Sequence, residues 1–260
     1  MSQPLEEKQI IDIAKVDHWE TVWKRSNSIR PVSPLDYYDH RMVKLFKSLL
    51  KEGSRVIELG CGGSRWIHFF DHELKCETWG IDYSPEGLAI TARNNRENPR
   101  LRLVEGDLFD QSLLPPNYFD LVFSGGLIEH FTDSTVVTRR IRQILRPGGQ
   151  ALTTTPNFTG IYKHIQRSLD REIFEKHIPM DRAALDKAHV MVDLVPIVPA
   201  RFWGCFAPGV VNYSTKRFLL LPIKVIQQAV CWSAKALHLD RESQAFSPHI
   251  LGIYQKLQQG

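Results

Sequence analysis

The stretch from Val56 to Trp66 reads Val-Ile-Glu-Leu-Gly-Cys-Gly-Gly-Ser-Arg-Trp, and it constrains the fold more than any other part of the chain. Val56, Ile57, Glu58 and Leu59 have the character of a buried strand. Gly60, Gly62 and Gly63 follow at once. Glycine has no Cβ, so it accepts positive φ and lets a ligand pack on the main chain. A strand that runs into a glycine-rich turn and then a helix is how α/β folds bring backbone up against a ligand. Taken alone, such a turn also serves as a plain loop. Glu58 inside the strand needs a polar partner if it is buried.

The next motifs fall in order. A second strand, Glu77 to Ile81, ends in Asp82. An acid about 20 positions past the glycines is where nucleotide-binding folds place a carboxylate on ribose hydroxyls. Val104-Glu105-Gly106-Asp107 ends a third strand, and Phe119 to Phe123 makes a fourth. Leu145-Arg146-Pro147-Gly148-Gly149 stops a helix before a fifth strand, Ala151 to Thr155. Alternating strands and helices imply a parallel sheet covered on both faces. Ligands in such sheets bind at the carboxyl ends of the strands, and every motif above lies at such an end. A dinucleotide dehydrogenase would want a third glycine at the position held by Arg65.

Over residues 50 to 160 this set of strand-end motifs resembles the class I S-adenosylmethionine-dependent methyltransferases. The resemblance implies a Rossmann-like α/β sheet, mostly parallel with its last strand antiparallel, flanked by helices and closed by a helical lid or cap. It implies S-adenosylmethionine as cofactor. Gly60 and Gly62 would pack on its methionine part, near which Glu58 belongs. Asp82 would hold the ribose, with Tyr83 beside it. Asp107 and the Leu108 backbone would read adenine, although Asp107 also suits a helix cap. Ser124 closes the fourth strand. The run Ser124-Gly125-Gly126-Leu127-Ile128-Glu129-His130-Phe131 lacks the Asn/Asp-Pro-Pro-Tyr motif of enzymes acting on base amines or glutamine. It also lacks the aspartates of metal-dependent catechol-type enzymes, so no metal is expected. Ile128 to Phe131 is similar to the ubiquinone-biosynthesis O-methyltransferase group, as is Thr155-Pro156-Asn157.

His130 is the candidate general base for a hydroxyl acceptor, because a histidine titrates near neutrality. His164 and His177 are rivals. His130 could equally shape the pocket, leaving proximity to do the work. The expected reaction is methyl transfer to a small organic molecule, foremost at oxygen. The alternatives are N-methylation of a small amine, a protein or RNA methyltransferase, and a non-catalytic subunit with the same fold.

Composition narrows the field. The chain has 260 residues, 43% of them hydrophobic, enough for one large α/β domain. The formal charge of +4 is mild and the basic residues are scattered, so no nucleic-acid partner is expected. Cys61, Cys76, Cys205 and Cys231 stand alone, which points to free thiols and away from zinc. The polar start, Met1 to Lys8, is unlike a signal peptide, and the expected location is cytoplasmic.

Three regions follow. Residues 1–34 form an N-terminal lid helix, 35–156 the cofactor-binding core, and 157–260 cap insertions plus the last strands of the same domain. Helical spacing over 5 to 25 places Trp19 and Trp23 on one face. That helix either packs plainly on the domain or covers the cofactor, and the resemblance favours a cover. Trp19, Trp23, Tyr38, Tyr162 and Trp203 are the candidate substrate and lid residues. A long apolar helix is expected over 215–239. Charged and polar residues interrupt it too often for a membrane span. It serves as a cap, or else as a dimer or membrane-surface contact.

Overall fold

The computed structural model describes residues 12–25, 29–93, 100–208 and 220–258. Its strands are β1 (Arg55–Leu59), β2 (Glu77–Asp82), β3 (Leu101–Glu105), β4 (Phe119–Gly125), β5 (Leu145–Pro156), β6 (Leu194–Trp203) and β7 (His249–Lys256). They form one seven-stranded sheet in the order β3-β2-β1-β4-β5-β7-β6. Neighbours among β1 to β5 pair in parallel, whereas β7 lies antiparallel to both β5 and β6. The last strand is therefore the antiparallel one, as the family resemblance implied. The chain moves outward from β1 to β3 and then crosses back to β4. The carboxyl edge between β1 and β4 is thus the switch point where such sheets open a crevice.

The strand sequences fit sheets buried on both faces, with near-continuous apolar runs. Alternate side chains enter two cores. On one face Ile57, Leu59, Ile81 and Val122 meet α5 (Ser134–Ile144) and α8 (Arg182–Val190) through Val137, Ile141, Leu185 and Ala188. On the other, Val56, Leu121, Phe123 and Leu152 meet α2 (Tyr37–Leu49) through Met42 and Phe46. The Phe46 ring is 4.7 Å from Phe70 and 5.1 Å from both Trp66 and Phe123, centroid to centroid. Truncating it to alanine would cost about 3–5 kcal/mol.

Helix starts follow the side chains. Asp36, Asp133 and Asp181 each accept a backbone N–H at the start of α2, α5 and α8. Ser84 Oγ accepts from Gly87 N–H at the start of α4 (Pro85–Arg93), with Pro85 in the first helical position.

Four boundaries differ from the sequence expectation. Helix α2 ends at Leu49, and Gly53 instead takes positive φ in the following turn. The helix after the glycine turn is short: α3 (Trp66–His68) widens into a π turn over Phe69–Glu73, with Leu74 N–H donating to Phe69 O. Strand β5 begins at Leu145, because Leu145 pairs with Phe119 across a bulge before the glycines. The N-terminal helix α1 covers Val16–Lys24, with residues 5–11 of the expected span outside the described ones. The expected extensions to Asn95 and over 215–219 also lie outside them.

Between β5 and β6 lie α6 (Tyr162–Leu169) and α7 (Arg171–Glu175), and α9 (Leu220–Ala236) precedes β7. Among the described residues no helix is long and apolar enough to cross a membrane.

His189 illustrates a histidine held neutral in the core. Its Nδ1–H donates to Leu185 O, its Nε2 accepts from the Thr153 hydroxyl, and its ring stacks on Tyr254 at 3.6 Å. Burial pushes its pKa down to about 4. Below 6.5 the unfolded chain binds a proton that the folded chain refuses, so this group's contribution falls as pH drops from 6.5 towards 4. Denaturant titrations at pH 7, 5.5 and 4.5 should show stability falling by about 3 kcal/mol from this residue. His177 and His249 are lowered to about 4 as well, so His189→Gln should shrink that acid limb by one group's share, and an unchanged limb would remove His189 as one of its sources.

Candidate active site

The floor of the site is the junction of β1, β2 and α4. Gly60, at φ +71°, donates its N–H to Ile81 O and fastens the glycine turn to the end of β2. Asp82 lies at that end. Its Oδ2 accepts from Gly62 N–H at 2.7 Å and its Oδ1 from Ser84 N–H at 2.8 Å. Burial pushes its pKa up, while the Ser84 and Gly62 N–H groups hold it back. A Cβ on Gly62 would stand 2.9 Å from both Asp82 Oδ2 and Trp23 Nε1, so these two side chains close directly on the turn and leave no room for another. Below it, Glu58 is buried, and the Ser64 hydroxyl donates to its Oε2. Ser64 Oγ in turn accepts from Trp66 and Ile67 N–H at the start of α3. Burial pushes Glu58 up to about 8, opposed by Ser64 and Arg65.

Two cavities open along this edge and share Gly60, Asp82, Tyr83 and Leu127. One, of about 550 Å³, is lined by Ile81, Gly106, Asp107, Leu108, Phe109 and Phe131. It has the flat, apolar character that a purine needs. The Asp107 carboxylate there accepts from Phe109 N–H. The other, of about 540 Å³, reaches past Glu58 and the glycines to Tyr38, Gly125, His130, Thr154 and His249.

Helix α1 lies across both. Glu20 accepts from the Ser84 hydroxyl and from Glu86 N–H at the start of α4. Tyr83 O–H donates to Asp12, and Ile13 N–H donates to His130 O. Trp23 rests on the glycines, and Trp19 meets the His130 ring edge-on at 5.4 Å.

His130 stands where β4 gives way to a short turn. Its Nδ1–H donates to Lys176 O at 2.6 Å, which leaves the Nε2 lone pair free. Burial pulls its pKa below the ordinary histidine value. It faces both the cavity that runs past Glu58 and a small pocket of about 140 Å³ lined by Phe158, Tyr162, Lys176 and His177. His177 lies 4.6 Å from it, ring to ring, with Nδ1–H donating to Ile173 O. Burial and His130 push His177 down to about 4.

Not every residue expected from sequence reaches the site. His164 is exposed on α6 and lines none of these cavities. Trp203 is buried in the core beside Arg41, whose guanidinium sits 4.1 Å from the ring centroid, and takes no part in the cap. Ser124 is wholly buried within β4 and lines neither cavity. Tyr38 lines the cavity that runs past Glu58. Tyr162 borders the small one, its hydroxyl spent on Phe246 O and Ala207 N–H.

Residues that sequence reasoning passed over also converge here. Glu129 is buried, neither carboxylate oxygen makes a hydrogen bond of ordinary geometry, and burial pushes it up to about 8. Ligand-type atoms of Glu129, His130 and His177 lie within 4.8 Å of one another. No spacing rule announces that cluster, since His177 arrives from α7's far end. Arg30, Arg65 and Lys224 border the cavity from three separate segments.

Residues 57–153 match the family described as "Methyltransferase domain". This chain carries a class I methyltransferase domain. Among curated proteins, the chain is 27% identical over 114 residues to the demethylmenaquinone methyltransferase of Staphylococcus carnosus, covering 42% of this chain and 46% of that protein. It is 30% identical to the ubiquinone biosynthesis O-methyltransferase of Xanthomonas euvesicatoria pv. vesicatoria, covering 41% and 45%. The chain thus spans about half the length of these relatives. Among solved structures, phosphoethanolamine N-methyltransferase 2 of Haemonchus contortus, in complex with S-adenosyl-L-methionine, has a TM-score of 0.61 at 16% identity, covering 95% of this chain and 59% of that one. A putative sarcosine dimethylglycine methyltransferase from Galdieria sulphuraria has 0.60 at 14%, covering 93% and 97%. These likenesses extend the methyltransferase fold over nearly the whole chain.

Gly62→Val tests the turn. Its branched methyls would meet Asp82 and the Trp23 ring, so calorimetry should find no binding of S-adenosylhomocysteine. Wild-type affinity in this variant would place the cofactor elsewhere.

Proposed function

We propose that the chain is a methyltransferase that transfers the methyl of S-adenosylmethionine to a hydroxyl of a small organic acceptor. The observation that carries this reading is His130. It is buried, held by Lys176 O through Nδ1–H, and presents a free Nε2 where the cavity that runs past Glu58 meets the small aromatic pocket.

The cofactor assignment rests on fit. Gly60, Gly62 and Gly63 border one cavity with bare backbone, Asp82 offers lone pairs to a ribose, and Asp107 and Leu108 border an apolar pocket. When bound, S-adenosylmethionine supplies a methyl group activated by a positively charged sulfur. The protein's own part is alignment and proton removal. His130 Nε2 takes the acceptor's hydroxyl proton as the oxygen attacks, and the Lys176 carbonyl, already hydrogen-bonded to Nδ1–H, favours the imidazolium that results. Trp19 and α1 keep water from this edge. Because burial lowers its pKa, His130 stays an acceptor of protons at neutral pH.

His130→Ala should lower kcat by about 10²–10⁴ with a phenolic acceptor. The loss should shrink towards pH 10, where solvent deprotonates the phenol. In the wild type the acid limb of kcat should fall below pH 6.5, the direction in which His130 is shifted. Normal turnover in the variant would reduce His130 to a structural residue. Faster turnover of amines than of phenols would replace the hydroxyl acceptor by a nitrogen one.

A second test concerns metal. We read His130 as a base and not as a ligand, so chelator treatment should leave turnover intact. Activity lost to chelator and restored by a divalent cation would reassign Glu129, His130 and His177 as a metal site.

A further inference from the structure

The cavity that reaches His130 has a cationic corner that the methyl-transfer reading does not use. Arg30, Asp36, Tyr38, Arg65, Lys224 and His249 border it. Asp39, wholly buried, takes both guanidinium groups: Arg65 Nη2 is 2.6 Å from Oδ1, and Arg30 Nη2 is 3.0 Å from Oδ2. Ser33 N–H also donates to Asp39. Asp36 is engaged as well, by Arg30 at 3.2 Å, by Gln228 Nε2 and by Asp39 N–H at the start of α2. The two carboxylates are therefore matched by the two arginines.

Lys224 is the surplus charge. It enters from α9, lines the cavity, is only partly exposed, and makes no hydrogen bond or ion pair with any described residue. Burial, Arg30 and Arg65 push its pKa down, against the pull of Asp36 and Asp39, so the corner is short of negative charge. His249 does not supply it, since burial and Arg65 push that ring down to about 4 and keep it neutral. The Tyr38 hydroxyl, held protonated by burial, makes no hydrogen bond with any described residue and can donate. A partly desolvated cation and a free hydroxyl donor lining one cavity, which also holds the transfer site, suit an oxyanion.

We propose that Lys224, with Tyr38 beside it, forms an anion subsite that binds a carboxylate or phosphate carried by the methyl acceptor. This rests on the reading of the cavity as a methyl-transfer site. Arg65 and Arg30, fixed by Asp39, set the positive field of the corner and orient with it, while Lys224 makes the direct ion pair. An acceptor anchored there presents its other end to the edge bordered by His130.

The test uses the full chain loaded with S-adenosylhomocysteine, whose binding is measured first. Failure at that step in the wild type would defeat the methyltransferase reading and, with it, this one. Benzoate and inorganic phosphate are then titrated separately by calorimetry at low salt, which tells a carboxylate site from a phosphate site. Lys224→Met should weaken the preferred anion about ten- to a hundredfold. Lys224→Arg should restore most of it, which loss of folding would not allow. With the wild type, kcat/KM should be higher for 3,4-dihydroxybenzoate than for catechol if the carboxylate arm is preferred, and for 4-hydroxyphenyl phosphate than for hydroquinone if the phosphate arm is. Binding of cofactor product with neither anion bound, or equal anion affinity in Lys224→Met, would overturn the proposal.

Discussion

The carboxylate of Asp82 holds the functional edge together. Its two oxygens take one N–H from the glycine turn after β1 and one from the start of α4. Two loops that would otherwise be independent are thereby fixed to the end of β2. An acceptor between two N–H groups cannot be replaced by an apolar side chain without leaving both donors unsatisfied in a largely buried place. Gly62 is bound into the same arrangement, because the space above its Cα is already taken by Asp82 and Trp23.

The cover depends on that frame. Helix α1 adds little apolar burial of its own, and none of its residues is fully buried. It is held by polar contacts before it and at its middle: Asp12 with Tyr83, and Glu20 with Ser84 and Glu86. Those partners follow Asp82 directly in the chain. An element attached by a few hydrogen bonds and two tryptophans opens at lower cost than one packed into the core. That suits a site that must admit a bulky cofactor.

The strand-end motifs were legible in the sequence because each is short and local: a glycine turn, an acid at a fixed distance, a proline–glycine stop. Asp82, Asp107 and His130 all stand at the cavity edges that those motifs indicated. Long-range assembly was not legible. His177 reaches His130 only because the segment after α7 returns to the turn after β4, where Ile178 N–H donates to Glu129 O, and no periodicity encodes that return. Lys224 sits on a helix that read as apolar, and its role appears only once Asp39 is seen to be occupied by arginines. Trp203 looked like a cap residue because aromatic composition cannot tell a lid from a core. Its burial against α2 decides the matter.

The central claim, that Asp82 organises a nucleoside-type cofactor site, is tested most directly by calorimetric affinity for S-adenosylhomocysteine in wild type and Asp82→Asn. The amide keeps the volume but turns one acceptor into a donor facing a backbone N–H. The account predicts an affinity about ten- to a hundredfold weaker. Equal affinity in the two proteins would contradict it.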